Sequence, residues 1–139
     1  MGGTRFNNRG IDETGASANF VETEQLIISK EHLYSFIQIR GSIPLFWKQN
    51  PTNHQISLSK NLDMCYPYFK KHTKSLQVDY GKIMLVNLLS NHKEGESQLS
   101  RILERLISIF NSESHSEHLS KVLYASYDIK AHSNNEVNK

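Results

Sequence analysis

Few side chains in this sequence have a type and spacing that suggest chemistry, and a pair of carboxylates is the clearest case. Glu22 and Glu24 stand two residues apart in an extended segment, so both project from the same face of a strand. Paired carboxylates can act as general acid and general base. A solvated or arginine-paired strand face explains the same two residues more simply, and we favour that interpretation.

Histidine and cysteine add little to this set. His115 and His118 are three residues apart in a Ser-rich loop with no further ligand candidate nearby, so we predict no metal site. Cys65 is the only cysteine, which excludes an internal disulfide and favours a reducing compartment. We interpret Cys65 as a small buried side chain rather than as a reactive thiol.

Length and charge set broad limits on function. A chain of 139 residues is long enough to form one domain with a buried core. The formal net charge of +2 is close to neutral, so we expect no nucleic-acid partner, which would require a strongly basic chain. No apolar run in the sequence approaches the length that is needed to cross a bilayer.

Two extended segments, rich in β-branched and aromatic residues, must position the carboxylates. The first is predicted at 17–29 and the second at 33–40, with a polar turn between them. The second segment carries large apolar side chains on both faces, which predicts a strand buried on both sides within a sheet. Phe46 and Trp47 follow it, and we expect them to pack in the core rather than against a membrane surface.

The remainder of the chain alternates between helical and extended patterns. The predicted elements are a strand at 55–59, a helix from Pro67 to about Val78 with Gly81 at its C-terminal cap, a buried central strand at 82–89, an amphipathic helix that opens at Glu94 and Glu96, and a strand at 122–129. The predicted fold class is therefore α/β, with a mixed β-sheet and covering helices.

Three sequence blocks carry a family resemblance. They read GTRFNNRG at residues 3–10, ANFVETEQ at 18–25 and SFIQIRGSIPLFW at 35–47. In this order and spacing they resemble the opening part of the catalytic region of Sac-type phosphoinositide phosphatases, especially those of the synaptojanin branch. The resemblance is sharp over the first third of the chain and weaker over most of the rest.

The resemblance implies an enzyme that removes phosphate from membrane inositol lipids. Residues 1–129 would form an N-terminal portion of the Sac-type catalytic domain, and 130–139 a disordered tail. Such phosphatases use a cysteine nucleophile in a Cys-x-x-x-x-x-Arg loop, without a metal or another cofactor. Here the sixth residue after Cys65 is Lys71 rather than arginine. We therefore expect the nucleophile to lie downstream, in a part of the domain that this chain lacks, and the chain alone to be inactive.

The same resemblance assigns the substrate-binding residues and a location. Arg5, Arg9 and Arg40 lie in the matching blocks and would bind the phosphoinositide headgroup, because guanidinium groups pair with phosphate in a planar, charge-assisted way. The competing interpretation pairs them with Glu22 or Glu24 as structural ion pairs. The whole protein would be cytoplasmic and peripheral at membranes. The alternative function is a non-catalytic, pseudo-enzyme module that binds lipid or protein.

Overall fold

A computed structural model describes residues 9–114 and 119–129 and confirms the α/β class. In that part of the chain it contains the elements β1 Val21–Ile28, β2 Leu33–Arg40, β3 Trp47–Gln49, β4 Ile56–Leu58, α1 Leu62–Tyr80, β5 Met84–Asn87, α2 Glu94–Glu113 and β6 Leu123–Ser126. The predicted tail at 130–139 and the pair His115 and His118 lie outside the described residues.

The described strands form three separate two-stranded sheets rather than the single mixed sheet that the sequence predicted. β1 and β2 make a long antiparallel hairpin, and β3 and β4 make a short one. β5 and β6 pair in parallel, and α2 lies between them in sequence. A parallel pair needs such a crossover, so β5, α2 and β6 form a βαβ unit.

Helix α1 begins earlier than the sequence predicted. Asn61 caps it, with its side-chain oxygen accepting a hydrogen bond from the backbone N–H of Met64 at 2.9 Å. Pro67 therefore lies inside the helix rather than in its first turn, and the prediction that it opens the helix is wrong. The position of Gly81 is confirmed, because it caps the C-terminal end with a φ of 77°.

The core forms around the apolar face of α2. Its buried members are Leu45, Trp47, Cys65, Phe69, Leu99, Leu103, Leu106, Ile107, Phe110 and Val122. Phe69 of α1 meets Phe110 of α2 edge to face, with ring centroids 6.3 Å apart. Trp47 packs here as predicted, and its indole N–H donates to the carbonyl of Ile43 at 3.1 Å. The amphipathic pattern that predicted α2 thus identified the centre of the fold.

The β1–β2 hairpin lies outside this core. Strand β2 has the predicted bounds, yet nearly all of its residues are exposed, and so are nearly all of those in β1. The prediction that β2 is buried on both sides is therefore wrong for this chain. The two-faced apolar pattern requires a layer on each face, and no other described element packs there. One contact anchors the hairpin base to α1, where the Tyr80 hydroxyl donates to the Glu22 carboxylate.

Candidate functional site

Segments from the three sequence blocks meet at one hydrogen-bonded junction at the base of the hairpin. The backbone N–H of Gly10 donates to the Ser42 hydroxyl at 2.8 Å. The N–H of Ala18 donates to the Gly10 carbonyl at 2.8 Å, and that of Ser42 to the Ala18 carbonyl at 2.8 Å. Leu45 joins them, since its carbonyl accepts from the N–H of Ile11 at 3.0 Å. We call this set of four residues, Gly10, Ala18, Ser42 and Leu45, the block junction.

Close packing of neighbouring atoms favours glycine at two positions of this region. Gly10 has a φ of +81°, and a Cβ there would lie 2.2 Å from the Leu45 carbonyl oxygen. A Cβ on Gly41 would lie 2.6 Å from the Ser17 hydroxyl. Each glycine directly follows an arginine, Arg9 in one case and Arg40 in the other. Arg9 and Arg40 therefore each stand beside a glycine at which the chain packs closely.

Of the three predicted substrate-binding arginines, Arg9 and Arg40 lie in the described residues, and their surroundings differ. Arg9 is half-buried, and its Nε donates to the Gln49 side-chain oxygen at 3.4 Å, a long and weak contact. Arg40 is exposed at the end of β2, opposite Val21. Arg5, the third predicted substrate-binding residue, lies outside the described residues.

Arg9 lines both of the shallow clefts beside the block junction. The larger has a volume of about 380 Å³, and Trp47, Lys48 and Ser59 contribute to its walls. The smaller, of about 210 Å³, lies over the turn that begins at Asp12. In that turn Asp12 accepts hydrogen bonds from the hydroxyl and N–H of Thr14, and the hydroxyl contact lowers the pKa of the Asp12 carboxyl most.

The carboxylates on the hairpin have partners other than arginine. Glu22 accepts from the Tyr80 hydroxyl, and this hydrogen bond raises the pKa of Tyr80. Glu24 accepts from the Ser35 hydroxyl at 2.6 Å on the facing strand. The described contacts therefore support neither an acid–base pair nor the ion pairs with Arg9 or Arg40 that the sequence left open.

A second polar cluster, which the sequence analysis missed, lies at the C-terminal end of the parallel strands. Asn87, at the end of β5, is 1% exposed. Its side-chain N–H groups donate to the Ser100 hydroxyl at 2.8 Å and the Tyr124 hydroxyl at 3.0 Å. Its oxygen accepts from the N–H of Leu89 at 3.1 Å. The sequence signal is one amide within the apolar run of β5, and a buried amide of this kind requires partners.

Two carboxylates hold the loop at 88–93 beside this cluster. Asp128 is buried and accepts from the Ser90 hydroxyl at 3.1 Å and from the N–H of Asn91 at 2.9 Å. Glu96, in the first turn of α2, accepts from the N–H of Ser90 at 2.8 Å. These contacts fix the connection between β5 and α2, at the edge where ligands bind in many open α/β sheets.

Cys65 is buried within α1, and its thiol lies 3.6 Å from the Lys60 carbonyl oxygen. This burial agrees with a packing role for the side chain. In the described part of the chain no group of three or more His, Cys, Asp and Glu side chains is arranged to hold a metal ion. Neither α1 nor α2 is apolar over enough of its length to cross a membrane.

Comparison with known families identifies the class of this protein. The family model described as the SacI homology domain, Syja_N, matches residues 1–134. The match covers nearly the whole chain, so the chain belongs to this family, and the resemblance drawn from the three blocks is confirmed.

Individual members of the family are also similar to this chain in sequence. Synaptojanin-1 of Rattus norvegicus is 43% identical over 91% of this chain and 8% of its own length. Synaptojanin-2 of Homo sapiens is 42% identical over 76% of this chain and 7% of its own length. A Saccharomyces cerevisiae relative named polyphosphatidylinositol phosphatase INP53 is 44% identical over 71% of this chain and 9% of its own length. The chain thus spans less than a tenth of the length of each of these three relatives.

Proposed function

We propose that this chain is an N-terminal portion of the catalytic region of a Sac-type phosphoinositide phosphatase. The whole protein would hydrolyse phosphate from membrane inositol lipids through a cysteine nucleophile downstream of this chain. The yeast relative's name, polyphosphatidylinositol phosphatase, supports the substrate class. A peripheral position at cytoplasmic membrane surfaces follows from such a substrate.

The observation that carries the proposal is the block junction. Gly10 and Ser42, from the first and third blocks, are 32 residues apart in sequence, yet Gly10, Ala18 and Ser42 are hydrogen-bonded to one another. Arg9 and Arg40 directly precede the glycines of this region. An inositol headgroup carries several phosphates, and arginines supplied by separate segments would suit such a ligand.

In this proposal Arg9 and Arg40 bind headgroup phosphate, with Arg5 as a third candidate on the strength of the resemblance. Arg9 would act from the wall of the clefts, where Gln49 holds its side chain at 3.4 Å. Arg40 would act from the exposed end of β2. Neither residue takes part in the chemical step.

The test of the enzyme assignment is phosphate release from a short-chain phosphoinositide. The protein for this test extends the chain through the downstream Cys-x-x-x-x-x-Arg loop. We expect turnover that is lost when the loop cysteine is replaced by serine. We expect Arg40→Gln to lower kcat/KM by about 10- to 100-fold, since one charge-assisted hydrogen bond contributes about 1.5–3 kcal/mol. Arg101→Gln, on the exposed face of α2, is the matched control and should leave kcat/KM unchanged.

The second candidate is a non-catalytic module that binds anionic lipid or a protein partner. Its support is that Cys65, the one cysteine of this sequence, is buried within a helix. The 139-residue chain should then bind phosphoinositide vesicles, and the extended protein should release no phosphate. Turnover by the extended protein would exclude this candidate.

A further inference from the structure

The larger of the two clefts beside the block junction combines positive charge with apolar walls. Its lining includes the cationic residues Arg9 and Lys48, the hydroxyl-bearing Ser59, and the apolar residues Ile11 and Phe46. None of the described lining residues is acidic. Its volume of about 380 Å³ lies within the range of roughly 300–1,000 Å³ that is usual for small-molecule sites. We call it the Arg9–Lys48 cleft.

The alternation of side chains along β3 sets the direction of Lys48. Trp47 is buried in the core, so the next residue projects from the opposite face of the strand, and Lys48 is exposed there. Lys48 lies opposite Ser57 in the β3–β4 register, and neither residue is apolar. Among the described residues Lys48 forms no ion pair. Its positive charge is therefore not offset by a carboxylate in direct contact within the described part of the chain.

Arg9 reaches the same cleft from a different segment. The N–H of Ile11 donates to the Leu45 carbonyl at 3.0 Å, which fixes residues 9–11 beside the start of β3. The Gln49 side chain accepts from Nε of Arg9 at 3.4 Å and donates to the His54 carbonyl, also at 3.4 Å. Both contacts are long, so they orient the guanidinium group only weakly. The cleft thus has one half-buried guanidinium and one exposed ammonium group in its lining.

A third cation lies next to the lining. The Nζ of Lys60 is 3.8 Å from the centre of the Phe46 ring, and it pairs with Glu13 at 3.4 Å. Asp12 lines the smaller cleft, where its carboxylate accepts hydrogen bonds within its own turn. Neither carboxylate lines the Arg9–Lys48 cleft, so the potential inside that cleft is positive.

We infer that the Arg9–Lys48 cleft binds a phosphate monoester on an inositol ring, with Lys48 as a ligand contact that the sequence analysis did not assign. The inference rests on the proposed function, which supplies the phosphoinositide headgroup. A phosphate monoester carries close to two negative charges at neutral pH and has three acceptor oxygens. It can therefore accept from a guanidinium and an ammonium group at the same time, whereas a single carboxylate matches this charge less well.

The first experiment titrates the 139-residue chain with inositol 1,4-bisphosphate by isothermal titration calorimetry. We expect Lys48→Gln to raise the Kd about fivefold, the upper end for an exposed charge pair. Arg9→Gln should raise it about tenfold or more, because the guanidinium group is half-buried. Lys82→Gln removes the same charge from an exposed lysine outside the cleft and should leave the Kd unchanged. Far-UV circular dichroism of each variant checks that the fold is retained.

The location of the bound ligand is tested by backbone amide chemical shifts. On titration with inositol 1,4-bisphosphate, the largest changes should fall at residues 9–11, 46–49 and 59, which supply the lining. Changes confined to other segments would contradict the inference, even if the chain binds the compound.

The second experiment distinguishes a lipid headgroup from a free inositol phosphate. Cosedimentation measures binding of the chain to phosphatidylcholine vesicles with and without phosphatidylinositol 4-phosphate. We expect binding only when the phosphoinositide is present, competition by inositol 1,4-bisphosphate, and weaker binding by Lys48→Gln. Binding of the soluble compound without binding of the vesicles would retain the phosphate site and assign it to free inositol phosphates.

Two results would overturn the inference. One is a chain that binds neither the soluble compound nor the phosphoinositide vesicles. The other is an equal rise of Kd for Lys48→Gln and Lys82→Gln, which would show general attraction between the chain and an anion.

The enzyme assignment fails or stands separately. If the extended protein releases phosphate and Lys48→Gln leaves its KM unchanged, the inference fails while the proposed function stands. If the extended protein releases none but its binding of inositol 1,4-bisphosphate still depends on Lys48, the enzyme assignment fails while the binding site stands.

Discussion

The α2-centred core and the β1–β2 hairpin are built from similarly apolar sequence, yet the molecule buries one and exposes the other. Leu103 and Leu106 of α2 are 0% exposed, whereas Ile27 and Ile28 of β1 are 55% and 78% exposed. The difference lies in the partners that the rest of the chain provides. An apolar pattern predicts that a surface is buried, but it does not identify the segment that buries it.

Geometry explains why the apolar face of α2 is buried within this chain. The apolar stripe of α2 needs cover on one side only, and α1, Leu45 and Trp47 supply it. The hairpin carries apolar side chains on two faces, so both faces need cover. Among the described residues, the block junction at its base and the contact with Tyr80 connect it to the rest of the fold.

The largest expected effect comes from the contrast between Phe110 and Phe36. Phe110→Ala should lower the free energy of unfolding by about 3–5 kcal/mol, because it leaves a cavity against Phe69. Phe36→Ala should change it by less than about 1 kcal/mol, since that ring is 58% exposed. Urea unfolding followed by circular dichroism, at a concentration that keeps the chain monomeric, measures both. Equal losses would mean that the hairpin is packed in solution.

A substitution at the block junction tests how the hairpin is attached to the core. Gly10→Ala should lower the free energy of unfolding by about 2–4 kcal/mol, because positive φ and a clash with the Leu45 carbonyl both oppose a Cβ. Gly81→Ala is the matched control, since Gly81 also has positive φ but its Cβ would meet open space. The loss at Gly81 should be clearly smaller. Similar losses at both sites would show that the close approach at Gly10 is relaxed in solution.

A smaller loss of stability is expected when the buried amide of Asn87 in β5 is removed. Asn87→Ala should lower the free energy of unfolding by about 1–3 kcal/mol, because it leaves the N–H of Leu89 without its acceptor and removes the donor to Ser100. Asn91→Ala replaces an exposed side chain and preserves the backbone contact to Asp128, so stability should be unchanged. Chemical unfolding of both variants and of the parent chain measures these differences in the free energy of unfolding. An unaffected Asn87 variant would show that the cluster is dispensable.

The smallest expected effect is a dependence of stability on pH that originates at His72 of α1. Burial lowers the pKa of His72 below its usual value of 6.5, although the hydrogen bond from its Nδ1 to the Gly15 carbonyl at 2.8 Å partly opposes this. The unfolded chain therefore binds a proton more readily than the folded chain does. This contribution to stability is complete above pH 6.5 and is lost as pH falls through the folded-state pKa.

Urea midpoints measured from pH 8 down to pH 5 test the role of His72. The parent chain should lose stability below pH 6.5, and His72→Gln should lose less. His32→Gln, in the exposed turn of the hairpin, is the matched control and should follow the parent profile. A parent profile that rises toward acid would contradict the neutral, buried state of His72.

The sequence by itself determined the family, most element positions and the face of α2 that is buried. Strand β2 was predicted at the bounds it has, and Gly81 at the cap it forms, because side-chain periodicity and glycine conformation are local properties. Pro67 was placed wrongly, since its preference for a first turn is weaker than the Asn61 cap and the packing of Phe69 that start the helix earlier.

Only the tertiary structure decided which segments meet. Hydrogen bonds that join Gly10, Ala18 and Ser42 connect positions far apart in sequence, and no local pattern encodes such contacts. The partners of Asn87 and Asp128 were hidden for the same reason. Whether an apolar face is buried depends on the presence of a second surface, so the sequence of β2 could predict the need for cover but not its absence here.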